Sequence, residues 1–227
     1  MTKLLKVRKT NFRGNPNVGM YLYVTDKFCL AGAEVLESEY PALEETLGVP
    51  VTRASVAGTG LLGVFLAGTN DVLLVPNIVS DRELAAFKKL PVTVHVIDTT
   101  FTALGNNMLV NDNGALVAPD YSAAERKVVE DALGVPVKQF GIEDITVVGS
   151  AAVATNTGCL IHRSAQAFEV ELAEATLKVP VVRGTVNMGS GFVRGGIAAN
   201  ANGMIIGDTS GGPEIVNAEE ALRGANE

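Results

Sequence analysis

The side chains best suited to covalent or metal chemistry are few in this 227-residue chain: two cysteines, Cys29 and Cys159, and two histidines, His95 and His162. A zinc site or a nucleophile–base pair requires such residues to converge on one point, often from short spacings in the sequence. The sequence contains no HxxxH, HExxH, Cys-x-x-Cys or Gly-x-Ser-x-Gly pattern. It therefore predicts no catalytic residue, no metal site and no cofactor.

Two glycine-rich segments are candidates for nucleotide binding. Residues 58–63 match GxGxxG, but that motif binds pyrophosphate where a helix follows, because the helix N-terminus receives the anion. Here the apolar runs 64–67 and 72–75 predict a hairpin instead. Residues 184–196 lack the lysine of a P-loop and are expected to form tight turns. Neither segment predicts a nucleotide site.

The elements that must position any site follow from an internal repeat. Five glycines are each followed seven residues later by Asp or Asn, and successive glycines lie 44, 42, 44 and 46 residues apart. The pairs are Gly19 with Asp26, Gly63 with Asn70, Gly105 with Asp112, Gly149 with Asn156, and Gly195 with Asn202. Prolines at positions 50, 91, 136 and 180 recur at a similar spacing. A period of this size is typical of a repeat architecture.

Within a unit the predicted order of elements is strand, strand, helix, strand. Apolar runs on either side of residues 111–114 (NDNG) indicate a hairpin, since Asn, Asp and Gly tolerate a left-handed turn. The apolar spacing of residues 124–133 predicts a helix, with Ser122 as its N-cap and Ser80 or Asp81 as the N-cap of the preceding helix. Third strands are expected in the β-branched runs at residues 49–51, 92–97, 135–137 and 179–182.

The two ends of the chain are predicted to complete each other. The last unit stops after a helix, whereas residues 4–10 form a strand-like stretch that belongs to no unit. We expect this stretch to supply the missing strand, which closes a ring and removes exposed sheet edges. The chain 1–227 is thus predicted to be a single domain. Its units are expected at approximately residues 17–57, 58–101, 102–146, 147–187, and 188–227 plus 1–12.

Composition and charge indicate a cytoplasmic protein without a membrane segment. No apolar run approaches the ~18–20 residues of a membrane helix, and the basic N-terminus has no apolar signal-peptide core. A net charge of −7 argues against wrapping nucleic acid, which depends on cationic side chains. Five basic residues nevertheless precede the first acidic one, and they would either contact phosphate locally or protect a sheet edge. They are Lys3, Lys6, Arg8, Lys9 and Arg13.

The two cysteines occupy equivalent positions in their units. Each lies ten residues after its repeat glycine, Cys29 in unit one and Cys159 in unit four. These units are not neighbours in a five-membered ring, so we expect no disulfide between them. Small buried thiols in a reducing compartment are the simpler interpretation.

Five strand–strand–helix–strand units in a ring resemble the pentein fold, also called the α/β propeller. One group of pentein proteins modifies guanidines and is known for a cysteine near the end of the chain, with a histidine and carboxylates in the axial pore. This chain has no cysteine after Cys159 and no histidine after His162. Because the expected nucleophile is absent, the enzyme interpretation would require some other cluster of titratable side chains in the axial pore.

The second group of penteins is the archaeal and eukaryotic translation initiation factor 6 family, and this resemblance spans essentially the whole chain. The stretches that carry it are residues 8, 12 and 14–19, 54–58 with 63, 73–77, 102–106, 111–112 with 115–117 and 119, 148–150, 156 with 158–162, and 184–187 with 189. The turn at 208–214 is one residue longer than in the family, and Arg163 stands where a proline often follows the histidine. Because the C-terminal tail of eukaryotic members is lacking, the chain is similar to archaeal members.

This resemblance implies a monomeric ribosome anti-association factor and no enzymatic activity. Family members bind the intersubunit face of the large ribosomal subunit, mainly ribosomal protein uL14, with uL3, eL24 and the sarcin–ricin loop of the rRNA nearby. They thereby block the small subunit. Release by a translational GTPase with a maturation factor, and a role in large-subunit maturation, are also implied. A scaffold of the same fold with another partner is the remaining alternative.

The expected ribosome-binding surface is one end of the ring axis. We predict that the residue after each repeat glycine begins a strand beside the axis, so that these positions converge. Asn106 is the leading candidate, because a side-chain amide both donates and accepts hydrogen bonds across an interface. The asparagines of this surface would alternatively cap turns. The full predicted set is Asn106, Met20, Tyr21, Val64, Ser150, Ala151, Gly196, Asn17 and Asn187.

Overall fold

The fold is built from repeated three-stranded sheets. The computed structural model describes residues 4–224, so Lys3 of the basic N-terminal stretch lies outside the described part. Within this range fifteen strands form five three-stranded sheets. Each sheet holds an antiparallel hairpin and a third strand parallel to its second. Sheet by sheet, the strands are β2 (Leu22–Val24), β3 (Cys29–Ala31), β4 (Val51–Arg53); β5 (Ala67–Gly68), β6 (Val72–Pro76), β7 (Thr93–Ile97); β8 (Met108–Asn111), β9 (Gly114–Val117), β10 (Val137–Gln139); β11 (Ala152–Ala154), β12 (Cys159–His162), β13 (Val181–Gly184); and β14 (Ile197–Ala199), β15 (Gly203–Gly207), β1 (Lys6–Thr10).

Helices of two kinds alternate with these strands. A longer helix follows each hairpin, as the sequence predicts, and a short helical turn precedes most hairpins. The longer helices are α1 (Tyr40–Leu47), α3 (Asp81–Phe87), α5 (Ala123–Leu133), α6 (Ala167–Leu177) and α8 (Gly212–Arg223). The short ones are α2 (Leu62–Phe65), α4 (Leu104–Asn107) and α7 (Val193–Gly196), with 3₁₀ turns at Val18–Met20 and Glu37–Glu39.

Two of the longer helices, α3 and α5, begin at serine side-chain caps. Of the two predicted candidates, Ser80 and not Asp81 is the N-cap of α3. The Ser80 Oγ accepts from the Glu83 N–H at 3.4 Å, and Glu83 Oε2 accepts from the Ser80 N–H at 3.0 Å. Ser122 forms the same reciprocal box with Glu125 at the start of α5, which confirms that prediction. Such a box satisfies two backbone donors that the first helical turn leaves free.

The N-terminal strand completes the fifth sheet. All five residues of β1 pair in parallel with β15, from Lys6 opposite Gly203 to Thr10 opposite Gly207. This confirms the prediction that the N-terminal stretch supplies the strand that the fifth unit lacks. The basic residues of this strand therefore lie on the outermost strand of its sheet. The fifth unit also adjoins the first, because the Asn200 side-chain amide donates to the carbonyl oxygens of Thr25 at 3.0 Å and Leu47 at 2.9 Å.

Two sequence-based details of the strands are wrong. The third strands of sheets one, three and four begin after their prolines, at positions 51, 137 and 181, and not at the preceding valines. Proline lacks an N–H and cannot donate to a ladder, but its carbonyl accepts: Pro50, Pro136 and Pro180 each receive an N–H from the second strand at 2.9 Å. In addition, no strand begins directly after a repeat glycine, because Met20, Val64 and Asn106 lie in helical turns.

The hydrophobic core is divided among the junctions between neighbouring units. Leu74 and Ile97 of the second unit, for example, pack in one cluster with Met108, Val129 and Leu133 of the third. Each unit therefore depends on the next for the burial of its apolar face, as in other repeat folds. Among the described residues, no helix is long and apolar enough to cross a membrane.

Both cysteines are free and fully buried in equivalent strands, Cys29 in β3 and Cys159 in β12. The predicted absence of a disulfide between them is therefore confirmed. Burial raises the pKa of the Cys159 thiol to about 12 and raises that of Cys29 as well. Both groups are small apolar core side chains at neutral pH.

Candidate functional site

Four of the repeat glycines, Gly19, Gly63, Gly105 and Gly149, pack against the backbone of the preceding unit, where no side chain fits. This ring of positions is called the hub below. A Cβ on Gly63 would overlap the carbonyl oxygen of Gly19, one on Gly105 that of Gly63, and one on Gly149 that of Gly105. In turn, a Cβ on Gly19 would overlap the carbonyl oxygen of Arg194. The hub thus runs from unit to unit through backbone contacts, which explains the repeat in physical terms.

The fifth position of the hub is occupied by Arg194. The sequence pattern assigned this position to Gly195, which is one residue too late in the chain. Arg194 donates its N–H to the Ser150 carbonyl oxygen at 3.2 Å, just as Gly149 donates to Asn106 at 2.9 Å. The matching residue seven positions later is Ala201, not Asn202. A glycine directly after the arginine hides this shift in the sequence.

At one end of the axis the hub forms the floor of an open depression of about 340 Å³. This surface, called the rim depression below, contains five of the nine predicted site residues: Asn17, Met20, Val64, Asn106 and Ser150. It also contains residues that the prediction missed, namely Gly19, Gly63, Ser190, Phe192, Arg194 and Gly195. The convergence of the positions after the hub residues is thus observed.

Four predicted site residues lie outside the rim depression, and three of them are Gly196, Ala151 and Tyr21. Gly196 is buried against Val186, because the one-residue shift places Gly195 at the surface instead. Ala151 is fully buried in a core cluster. The Tyr21 hydroxyl accepts from the Asn15 side-chain amide at 2.8 Å, so its polar group serves the local structure.

Asn187, the ninth predicted residue, holds a turn. Its side-chain nitrogen donates to the Pro16 carbonyl oxygen at 3.1 Å, and its side-chain oxygen accepts from the hydroxyls of Thr209 at 3.0 Å and Ser210 at 3.2 Å. Its backbone φ is 48°, a left-handed conformation that asparagine tolerates better than most residues. These bonds favour the alternative that this asparagine has a structural role.

The other two asparagines differ from each other. Asn17 uses its side chain locally, since its nitrogen donates to Asn15 Oδ1 at 3.1 Å. Asn106 anchors the next unit through its backbone, whose carbonyl oxygen accepts from the N–H groups of Gly149 at 2.9 Å and Ser150 at 3.2 Å. Its side-chain amide has no hydrogen-bond partner among residues 4–224. A rigid backbone therefore presents an unpaired amide to the depression.

An apolar turn lies next to the depression. Met188 is 84% exposed and Phe192 is 49% exposed, although both are large apolar side chains. The turn is fixed by Glu214, whose carboxylate accepts from the N–H groups of Met188 at 3.2 Å and Gly189 at 2.8 Å. Burial alone would raise the pKa of Glu214, but the hydrogen bonds that it accepts outweigh burial and lower it.

Below the hub a smaller cavity of about 60 Å³ continues along the axis. Its lining combines apolar side chains such as Met108 and Val153 with the polar groups of Tyr23 and Arg194. None of the chain's cysteines or histidines is part of this lining. His162 instead pairs through Nδ1 with the Ser164 hydroxyl at 2.7 Å, and burial lowers its pKa.

A ring of hairpin tips lies at the opposite end of the axis. At three tips the backbone N–H donates to the side chain of the next tip: Asp26 to Asn70 at 2.8 Å, Asn70 to Asp112 at 2.7 Å, and Asp112 to Asn156 at 2.9 Å. The amide of Asn70 also donates to both neighbouring carboxylates. Alternation of Asp and Asn thus pairs each acid with a donor, where adjacent carboxylates would repel each other.

The arrangement of the five units defines the class of protein, a pentein. A solved structure of dimethylarginine dimethylaminohydrolase in adduct with S-methyl-L-thiocitrulline aligns with a TM-score of 0.50, covering 74% of this chain and 68% of that chain. At 13% sequence identity, this likeness concerns the fold alone.

The chain belongs to the eIF-6 family, whose model matches residues 7–221. A protein named Translation initiation factor 6 from Pyrococcus abyssi (strain GE5 / Orsay) is 37% identical over 224 residues, which cover 96% of this chain and 99% of that protein. Proteins of the same name from Thermococcus onnurineus (strain NA1) and Saccharolobus islandicus (strain L.S.2.15 / Lassen #1) are 35% and 31% identical, each over 96% of this chain and over 98% and 99% of their own lengths. The predicted family resemblance is confirmed, and the relatives are named as translation initiation factors.

Proposed function

We propose that this protein is a ribosome anti-association factor that binds the intersubunit face of the large ribosomal subunit through the rim depression. Bound there, a rigid disc of this size would exclude the small subunit by steric overlap. Family membership supports a role in translation initiation. The observation that carries the choice of surface is the convergence of Asn17, Met20, Val64, Asn106 and Ser150 on one depression.

The chemistry of the depression suits a protein partner. Exposed Phe192 and Met188 offer apolar contact area, and the unpaired amide of Asn106 offers directional hydrogen bonds. Interface centres commonly combine aromatic or Met side chains with few charged ones. Ribosomal protein uL14 is the proposed main partner, with uL3, eL24 and the sarcin–ricin loop nearby, as the family resemblance implies.

The rigidity of the surface also supports this proposal. The backbones that carry Asn106 and Met188 are fixed by hub contacts and by Glu214, so docking would cost little conformational entropy. A rigid protein is also needed to exclude the small subunit by steric overlap, because a flexible one could move aside. An independent mechanism is then needed for release, and a translational GTPase acting with a maturation factor fills that role in this proposal.

The test is co-sedimentation with purified archaeal large subunits, with and without small subunits. We expect the protein to migrate with the large subunit alone and to reduce subunit joining. Asn106→Asp places an unpaired charge at the centre of the surface and should weaken binding about tenfold or more, since a buried unpaired charge is costly at interfaces.

Lys138→Gln is the matched control, because it makes the net charge more negative by one, as Asn106→Asp does. Lys138 is exposed on β10, an outer strand of its sheet away from the depression. The control should bind like the unmodified protein. Equal loss for both variants would assign the effect to net charge, and binding unaffected by Asn106→Asp would exclude the rim depression as the interface.

A further inference from the structure

Arg194 is an unusual side chain for its position, because the four other hub positions hold glycine. Its Nε donates to the Gly63 carbonyl oxygen at 3.1 Å, which fixes the guanidinium on the axis. Arg194 lines both the rim depression and the smaller cavity beneath it. A cation therefore separates the two cavities, in a position where the fold requires no side chain.

The guanidinium has no counter-charge in the protein. The ion pairs of residues 4–224 join other side chains, and no described carboxylate lies within 4.0 Å of Arg194. Within the same part of the chain, its two terminal nitrogens have no hydrogen-bond acceptor. Arg194 is half-buried, and an unpaired cation loses part of its hydration there; this burial lowers the pKa of Arg194.

A second donor faces the same cavity. Tyr23 is 4% exposed, lines the smaller cavity with Arg194, and its hydroxyl has no partner among the described residues. Burial raises the pKa of Tyr23, so the hydroxyl keeps its proton and remains a donor. Arg194 and Tyr23 together thus provide unpaired donors and one positive charge in a cavity whose other side chains are apolar.

The volume of the smaller cavity and the charges near it restrict the class of ligand that could bind there. The cavity volume of about 60 Å³ accommodates roughly four water-sized oxygen centres at ~15 Å³ each. The tip ring lies at the far end of the axis, where the carboxylates of Asp26 and Asp112 would repel an anion. An anion would therefore enter through the rim depression.

We propose that Arg194 and Tyr23 form a binding site for one free tetrahedral oxyanion, of the class of inorganic phosphate, on the axis of the ring. The terminal guanidinium nitrogens would donate to two of its oxygens, the geometry that arginine prefers with phosphate. The Tyr23 hydroxyl would donate to a third oxygen. This site needs no residue outside this chain, and it would therefore bind phosphate in the free protein; a ribosome docked on the rim depression would cover its entrance.

Isothermal titration calorimetry of the full chain with sodium phosphate, at constant ionic strength maintained with sodium chloride, tests the proposal. We expect saturable binding of one phosphate per chain. Arg194→Ala should weaken it by about tenfold or more, since charge-assisted bidentate bonds are the stronger class, and Tyr23→Phe should also weaken it by about tenfold, because the hydroxyl donates to a charged oxygen. Arg163→Ala, which removes an exposed arginine, should leave binding unchanged.

Phosphorus NMR gives a second readout on the same samples. The phosphate signal should broaden with the unmodified chain and with Arg163→Ala, and stay sharp with Arg194→Ala. Circular dichroism spectra that match the unmodified chain would show that Arg194→Ala is folded. Absence of saturable binding to the unmodified chain would overturn the proposal. Equal phosphate binding by Arg194→Ala would overturn it too, because the anion would then lie elsewhere.

Discussion

Glu83 links a helix cap to a turn of the neighbouring segment, and its removal should destabilise the fold in a pH-dependent way. Its carboxylate accepts from the Ser55 hydroxyl at 2.7 Å, the Ala57 N–H at 3.1 Å, the Gly58 N–H at 3.0 Å, and the Ser80 N–H and hydroxyl at 3.0 and 2.7 Å. The side chain is 9% exposed. Glu83→Gln keeps the shape but replaces one acceptor oxygen by a donor.

The pKa of Glu83 gives the magnitude. Burial alone would raise it, but the hydrogen bonds from Ser55, Gly58 and Ser80 outweigh burial and lower it from 4.5 to about 2. Each pKa unit corresponds to about 1.4 kcal/mol, so the ionised group contributes about 3 kcal/mol to folding. Because the pKa of the folded state lies below that of the unfolded state, this contribution is complete above pH 4.5. It is lost as the pH falls towards 2.

Urea unfolding at a series of pH values between 7 and 2.5 measures this effect. Glu83→Gln should lower the free energy of unfolding by about 3 kcal/mol at pH 7, and the difference from the unmodified protein should shrink below pH 4.5. Glu171→Gln, a change at an exposed glutamate, should have little effect at any pH. A loss that is the same at pH 7 and pH 3, or one below about 1 kcal/mol at pH 7, would refute the reasoning.

Three further predictions follow from single features of the fold. Gly63→Ala should destabilise the protein by about 1–3 kcal/mol or more in thermal or urea unfolding, because the new Cβ meets the Gly19 carbonyl oxygen. Ser122→Ala should cost about 1 kcal/mol through loss of the α5 cap, measured in the same way. Cys29 and Cys159 should react with a thiol reagent at pH 8 at least about 100-fold more slowly in the folded protein than in urea, since the thiolate is the reactive form.

Each of these predictions has a matched comparison. Gly212→Ala adds a Cβ with nothing within 4 Å of it and should change stability by less than 0.5 kcal/mol or so; an equal loss for both glycines would contradict the hub argument. Ser122→Thr should largely keep the cap and the stability, because threonine also caps helices and retains a hydroxyl that can donate to Glu125 as Ser122 does. Rapid labelling of both thiols without denaturant would show that the core opens readily.

The fold could be predicted from the sequence because its cause is local and repeated. Tight hairpin tips and a hub glycine return with each unit, and the period reveals them even where other residues differ. Completion of the fifth sheet by β1 followed from counting strands. The third strands were predicted too early, since buried valines before a proline have the same β-branched pattern as residues inside a ladder.

The site was predicted less well because it depends on register between units. Gly195 satisfied the glycine pattern, whereas the backbone assigns the hub position to Arg194, so Gly196 was expected at the surface in place of Gly195. Asn106 and Asn187 have the same side chain in the sequence. Only the hydrogen bonds to Thr209 and Ser210 show that Asn187 is structural. No local pattern contains such contacts, because the partners are distant in the chain or belong to another unit.

The measurement that most directly tests the central claim is a cryo-electron microscopy structure of this protein bound to an archaeal large ribosomal subunit. We expect the rim depression to face the intersubunit surface, with Asn106 and Phe192 in contact with a ribosomal protein and the tip ring of Asp26 and Asp112 directed away. Density that shows the tip ring or the outer helices against the subunit, with the rim depression open to solvent, would contradict it.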